Sequence, residues 1–66
     1  MRALLAPCEE ARPHVQRCER LYWQAVEAAR DGQTTLARSI AMDAAKSLVR
    51  AFNAQIAHDA KQVARG

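Results

Sequence analysis

The residues best suited to chemistry in this sequence are two cysteines and two histidines. His14 and Cys18 stand four residues apart, a spacing that places both side chains on one face of a helix. A structural zinc ion needs four ligands, and Cys8 and His58 are the only natural additions to this pair. A packed cysteine and a solvated histidine are the simpler interpretation. We therefore predict no metal site and no cofactor, and keep a metal-binding helical protein using Cys8, His14 and Cys18 as a third hypothesis.

Nothing else in the sequence resembles an active site. Glu9, Glu10, Glu19 and Glu27 do not form a convergent pair of carboxylates. The sequence also contains no glycine-rich phosphate loop and no plausible nucleophile–base pair. We expect no catalytic residues and predict that the protein is not an enzyme.

The two cysteines do not indicate a disulfide. If residues 7–18 are helical, Cys8 and Cys18 are roughly 15 Å apart, which is beyond the reach of a disulfide bond. Reduced thiols are typical of a cytoplasmic protein, which is the predicted location. No segment is apolar over enough residues to span a membrane, so no membrane association is expected.

Composition predicts an all-α fold that needs a partner. The chain has 66 residues, enough for a single domain over 1–66, and 50% of them are hydrophobic. Fifteen of these residues are alanines, which favour helix but bury little apolar area. A lone core of this size is marginal. We therefore expect an antiparallel helical hairpin that forms a homodimer, most simply a four-helix bundle.

The predicted elements are an N-terminal segment over about 1–12, a first helix over 13–31 and a second helix over 35–64. Pro13 either starts the first helix or kinks a longer one. Gly32 suits the left-handed residue after a helix end, and Thr34 or Thr35 can cap the next helix. The short connection makes the two helices antiparallel neighbours.

Apolar residues at helical spacing predict the face that joins the two helices. In the first helix these residues are Val15, Cys18, Tyr22, Ala25, Val26 and Ala29. In the second helix they are Ala41, Ala45, Leu48, Val49, Phe52, Ile56 and Val63. Val15 is expected to face Phe52, and Val26 to face Ala41. Trp23 lies beside the stripe and is interpreted as an interface anchor in preference to a base-stacking platform. The predicted dimer or partner interface is Val15, Tyr22, Trp23, Phe52 and Ile56.

The positive charge lies in the second half of the chain. Residues 1–33 have five arginines and five acids, whereas residues 34–66 have five basic residues and two acids, which gives the net charge of +3. Lys46, Arg50, Lys61 and Arg65 share one sector of the second helix. A basic stripe of this kind favours a nucleic acid, although a solvated helix face would have the same composition. A rigid helical face suits recognition of duplex RNA by shape.

The segment Gln24–Ala29, followed by a turn and an arginine-bearing second helix, is similar to the RNA-silencing suppressors of nodaviruses. In architecture the chain also resembles Rop-like hairpins, which pair into four-helix bundles, and Rop itself binds paired RNA loops. The resemblance covers about residues 13–64. It implies a dimeric hairpin that lays a basic face along duplex RNA, with Arg38, Lys46, Arg50 and Lys61 as contacting residues.

Two hypotheses follow for function. The first is a homodimeric hairpin that binds double-stranded or structured RNA without sequence specificity, as a suppressor of RNA silencing or another small regulatory protein. Its contacting residues are Arg38, Lys46, Arg50, Lys61 and Arg65. The second is a protein-interaction module, a small adaptor or regulatory subunit, whose apolar face docks a helical partner and which binds no nucleic acid.

Overall fold

A computed structural model describes residues 6–65, with side chains described for residues 6–64. The chain forms two α-helices, α1 (Arg12–Arg30) and α2 (Thr34–Arg65), which pack against each other along a hairpin with extents of 51 × 17 × 15 Å. The predicted all-α hairpin is therefore confirmed for the single chain. Residues 1–5 of the predicted N-terminal segment lie outside the described residues.

α1 starts from a turn over residues 9–11. The carbonyl of Cys8 accepts hydrogen bonds from the N–H groups of Ala11 and Arg12, at 3.1 and 3.0 Å. Pro13 follows in the first helical turn, where its missing N–H costs nothing because that group has no partner inside the helix. Pro13 therefore lies at the start of α1 and does not interrupt a longer helix.

The connection between the helices is a Schellman motif centred on Gly32. The N–H of Gly32 donates to the carbonyl of Ala29, and the N–H of Gln33 donates to the carbonyl of Ala28. Gly32 has a φ of 78°, the left-handed conformation that this motif requires and that glycine adopts without strain. α2 then begins at Thr34, so the predicted threonine caps lie inside the helix and the carbonyl of Gln33 accepts its first hydrogen bond, from Ala37.

Small side chains fill the seam between α1 and α2. Ala37, Ala44 and Ala51 recur every seven residues along α2, and each of them is buried. A seven-residue repeat keeps one face of a helix against its neighbour, and small side chains let the two backbones approach closely. The buried residues of the described chain are Ala11, Ala25, Ala28, Ala37, Ala44, Ser47, Ala51 and Gln55.

The predicted seam is wrong in part, because Ala25 is buried as expected but the large apolar residues assigned to this face are not fully buried. Val49 and Ile56 are exposed, as is Tyr22 of α1, whereas Val15 and Phe52 are only partly buried at the edge of the seam. The helices are rotated so that alanines meet, because large side chains at these positions would hold the backbones apart. Several large apolar residues are consequently left exposed, four of them along one side of α2: Met42, Val49, Ile56 and Val63.

Candidate functional site

Four large apolar residues of α2 form an exposed row along the helix. They are Met42 (64% exposed), Val49 (57%), Ile56 (63%) and Val63 (79%), which we call the apolar stripe. The four residues are spaced seven apart, so they follow one line along the helix, as the core positions of a coiled coil do. Within residues 6–64 the stripe has no partner, although isolated exposed apolar residues alone would need no explanation.

Near the turn, a shallow apolar groove runs between the two helices on the open side of the seam. Its lining is Tyr22, Ala25, Val26, Ala29, Thr34, Ala37, Arg38 and Ala41. Val26 and Ala41, which the predicted register pairs, both line this groove. Trp23 adds to the exposed aromatic surface here, because its ring meets the Tyr22 ring edge-on at a centroid distance of 5.3 Å and an angle of 72°.

The predicted interface residues separate into two groups in the structure. Tyr22, Trp23 and Ile56 are exposed large side chains that are available to a partner. Val15 and Phe52 are partly buried within the hairpin, so they offer a partner less surface. The apolar stripe adds Met42, Val49 and Val63 to these candidates.

Three basic side chains meet at a hollow between the middle of α1 and the middle of α2. This basic hollow is lined by Arg17, Asp43, Lys46, Ser47 and Arg50. Arg17 also lines an adjoining depression with Arg20, Leu21 and Gln24. The basic hollow therefore has three cations and one carboxylate, a net positive charge that can attract an anionic polymer. Arg20 lies next to it and shares a further depression with Glu19.

The predicted RNA-contacting residues with described side chains line three different hollows. Lys46 and Arg50 lie together in the basic hollow, but Arg38 lines the apolar groove instead. Lys61 lines a separate hollow near the start of α1, where Glu10 offsets its charge. The side chain of Arg65 lies outside the described residues.

Sequence reasoning did not select Arg17 and Arg20 as nucleic-acid-binding residues. The first half of the chain has no net charge, and a sum over a segment does not show which charges face the neighbouring helix. The signal lies in their spacing, since Arg17 and Arg20 are separated by three residues, and Lys46 and Arg50 by four, which places each pair on one helix face.

A third group of residues lies at the open end of the hairpin. Among residues 6–64, potential metal-ligating atoms of Cys8, Glu10 and His58 all lie within 4.8 Å of one another. His14 and Cys18, the pair suggested by helical spacing, are not part of this group, and both cysteines are free thiols.

The groups around Glu10 lower the pKa of its carboxyl group. The pKa of Glu10 is lowered from its ordinary value chiefly because its own backbone N–H donates a hydrogen bond to the carboxylate. Partial desolvation opposes this effect, whereas the Cys8 side chain and the positive charges of His58 and Lys61 add to it. The net effect favours the ionised carboxylate.

Comparison with protein-family models, curated proteins and solved structures gives no match for this chain. Among the described residues, neither helix combines the length and the apolar composition needed to cross a lipid bilayer. The fold and these surfaces define a class: a two-helix hairpin closed by small residues, with an open apolar side and a separate basic hollow.

Proposed function

We propose that the protein is a homodimeric helical hairpin that binds duplex RNA through its basic hollow without reading base sequence. The observation that supports this function is the meeting of Arg17 from α1 with Lys46 and Arg50 from α2 at one site. The contacting residues are then Arg17, Arg20, Lys46 and Arg50. Arg38 and Lys61 are secondary, because each lies in a different environment.

Self-association is the first part of this proposal. The large apolar side chains lie outside the seam, so a single hairpin buries mainly alanine and gains little from hydrophobic burial. Pairing two copies through their apolar stripes removes Val49 and Ile56 from water in both chains. In a two-fold dimer the same stripe of both copies is buried, so each residue contributes twice to the interface. A short stripe can therefore stabilise the dimer.

RNA binding is the second part. On α2, Arg50 lies about 100° around the helix from Val49 and about 120° from Ile56, at 100° per residue. Lys46 lies about 60° from Val49, so pairing through the apolar stripe leaves Arg50 clear and places Lys46 at the edge of the interface. Arginine and lysine contact phosphate oxygens, and such contacts position a protein on a duplex without specifying sequence. Ser47 is buried beneath the charges, and the surface presents no obvious base-reading element. The dimeric, RNA-binding hairpins that the sequence resembles use the same kind of surface.

A salt titration of binding to a labelled RNA duplex tests the function. If each copy neutralises three or four phosphates, log K should fall with log salt concentration at a slope of about −3 per copy. An unlabelled DNA duplex and a single strand serve as competitors, and duplex RNA should compete best.

Charge reversal locates the site. The double variant K46E/R50E should abolish binding, whereas Lys61→Glu should retain most of it, because Lys61 lies outside the basic hollow. Lys46→Glu alone is the matched comparison for Lys61→Glu, since both make the same charge change on the same helix. Equal losses in these two single variants would show that net charge, and not the hollow, determines binding. Circular dichroism establishes that each variant keeps its helices.

The apolar groove favours a second function, that of a protein-interaction module. The surface of this groove is apolar, and its alanine floor between two helices suits a partner's helix. This function predicts no RNA binding even at low salt. It also predicts that Trp23→Ala or Phe52→Ala weakens assembly with a partner protein, and a pull-down that recovers no partner under gentle conditions would count against it.

A further inference from the structure

We propose that Cys8, Glu10 and His58 form a zinc site, with one ion per chain and a water molecule as the fourth ligand. The site is independent of RNA binding and of self-association. It joins the turn before α1 to the last third of α2, and Cys8 and His58 are 50 residues apart in the chain of 66.

The donor set suits zinc. Thiolate sulfur, imidazole nitrogen and carboxylate oxygen are the three ligand types that zinc accepts in proteins. A thiolate and a carboxylate also balance the two positive charges of the ion when the histidine is neutral, so the loaded site has no net charge. Magnesium and calcium prefer oxygen ligands only, which makes them poor competitors here.

The distances suit a tetrahedral ion. Zinc bonds of about 2.0 to 2.3 Å place neighbouring ligand atoms roughly 3.3 to 3.7 Å apart in a tetrahedron. The three ligand atoms already lie within 4.8 Å of one another. The ligand atoms therefore have to approach one another by at most about 1.5 Å, a shift that rotation of the side chains can supply.

A side chain of α2 holds the backbone of Cys8, the first ligand, in position. Gln55, which is buried, accepts a hydrogen bond from the Cys8 N–H at 2.8 Å through its Oε1 atom. Its Nε2 atom donates to the Asp59 carboxylate at 3.0 Å, which fixes the orientation of the amide. This support from neighbouring groups is what metal ligands generally need to be held in position. His58 is partly buried, whereas Glu10 is exposed, so the site is accessible to an ion from solvent.

Cobalt(II) titration of the reduced full chain is the direct test, because tetrahedral cobalt with a thiolate ligand gives visible d–d bands and a near-ultraviolet charge-transfer band. We expect saturation at one cobalt per chain, and bleaching of these bands when zinc is added. Zinc at a hundredfold excess over its dissociation constant should also raise the thermal midpoint by roughly 10 °C or more.

Matched variants assign the ligands. Cys8→Ser and His58→Gln should each remove the cobalt bands and the thermal shift, and Glu10→Gln should weaken binding. Cys18→Ser, His14→Gln and Glu9→Gln are the controls, and all three should bind as the wild type does. The proposal is overturned if the wild type develops no bands, or if Cys18→Ser or His14→Gln removes them. If Cys8→Ser and His58→Gln lose helicity, zinc binding to the folded wild type by calorimetry, with the three controls beside it, still decides the outcome.

Discussion

Truncation of Ile56 provides the sharpest test of the proposed dimer. Ile56→Ala removes three carbon groups, each worth about 0.8 kcal/mol when it is fully buried. The side chain is 63% exposed in the hairpin, so about 1.5 kcal/mol of that burial becomes available only on pairing. Two copies lose about 3 kcal/mol together, which weakens the dissociation constant by a hundredfold or more.

Leu36→Ala is the matched control for this prediction. It also removes three carbon groups, and Leu36 is 48% exposed. Leu36 lies about 160° away from Ile56 around α2 at 100° per residue, which places it off the apolar stripe. Its truncation should leave the dissociation constant within a fewfold of the wild-type value.

Sedimentation equilibrium over a range of concentrations measures both variants, with circular dichroism to check helicity. A wild-type chain that stays monomeric at the highest soluble concentration would refute the dimer outright. An equal weakening by Ile56→Ala and Leu36→Ala would refute the apolar stripe as its interface.

The remaining predictions concern the hairpin itself. Gly32→Ala should destabilise the fold by about 1 kcal/mol, because a side chain in the left-handed conformation is strained, although the added Cβ would meet no atom within 4 Å. Thermal unfolding should show a midpoint several degrees lower, with a smaller loss for Gly32→Asn, and an unchanged midpoint would contradict the assigned turn. Ala51→Leu should cost about 1 to 3 kcal/mol by overpacking the seam, since Ala51 is fully buried. The same change at the exposed Ala57 should cost little in chemical denaturation, and equal costs would show that the seam is not tightly packed.

The hairpin fold could be predicted from the sequence, but the rotation of its helices could not. Many alanines, few β-branched residues and one glycine between two long helical segments predict two helices and a turn. The rotation depends on whether large or small side chains occupy the seam. Val49 and Phe52 are stronger hydrophobic signals than Ala44 and Ala51, so reasoning from hydrophobicity selects the wrong face. Close approach of two backbones depends on both helices together, so it cannot be predicted from the type of any single residue.

The candidate sites could also be predicted from the sequence only in part. Lys46 and Arg50 could be selected because they are neighbours on one helix. Arg17 lies on the other helix, so it can be assigned to the same site only when the register of the two helices is known. The pairing of Cys8 with His58 depends on the turn before α1 and on the end of α2, which no local spacing connects.

The alanine seam affects how the folded fraction of this protein depends on its concentration in a cell. If burial of large side chains occurs mainly between copies, the free energy of unfolding depends on the total protein concentration. Dilute chains would then be mostly open and accessible to proteases, whereas concentrated chains would protect one another. The amount of folded protein would thus rise steeply once synthesis exceeds a threshold. The lifetime of the protein would then increase with its own concentration.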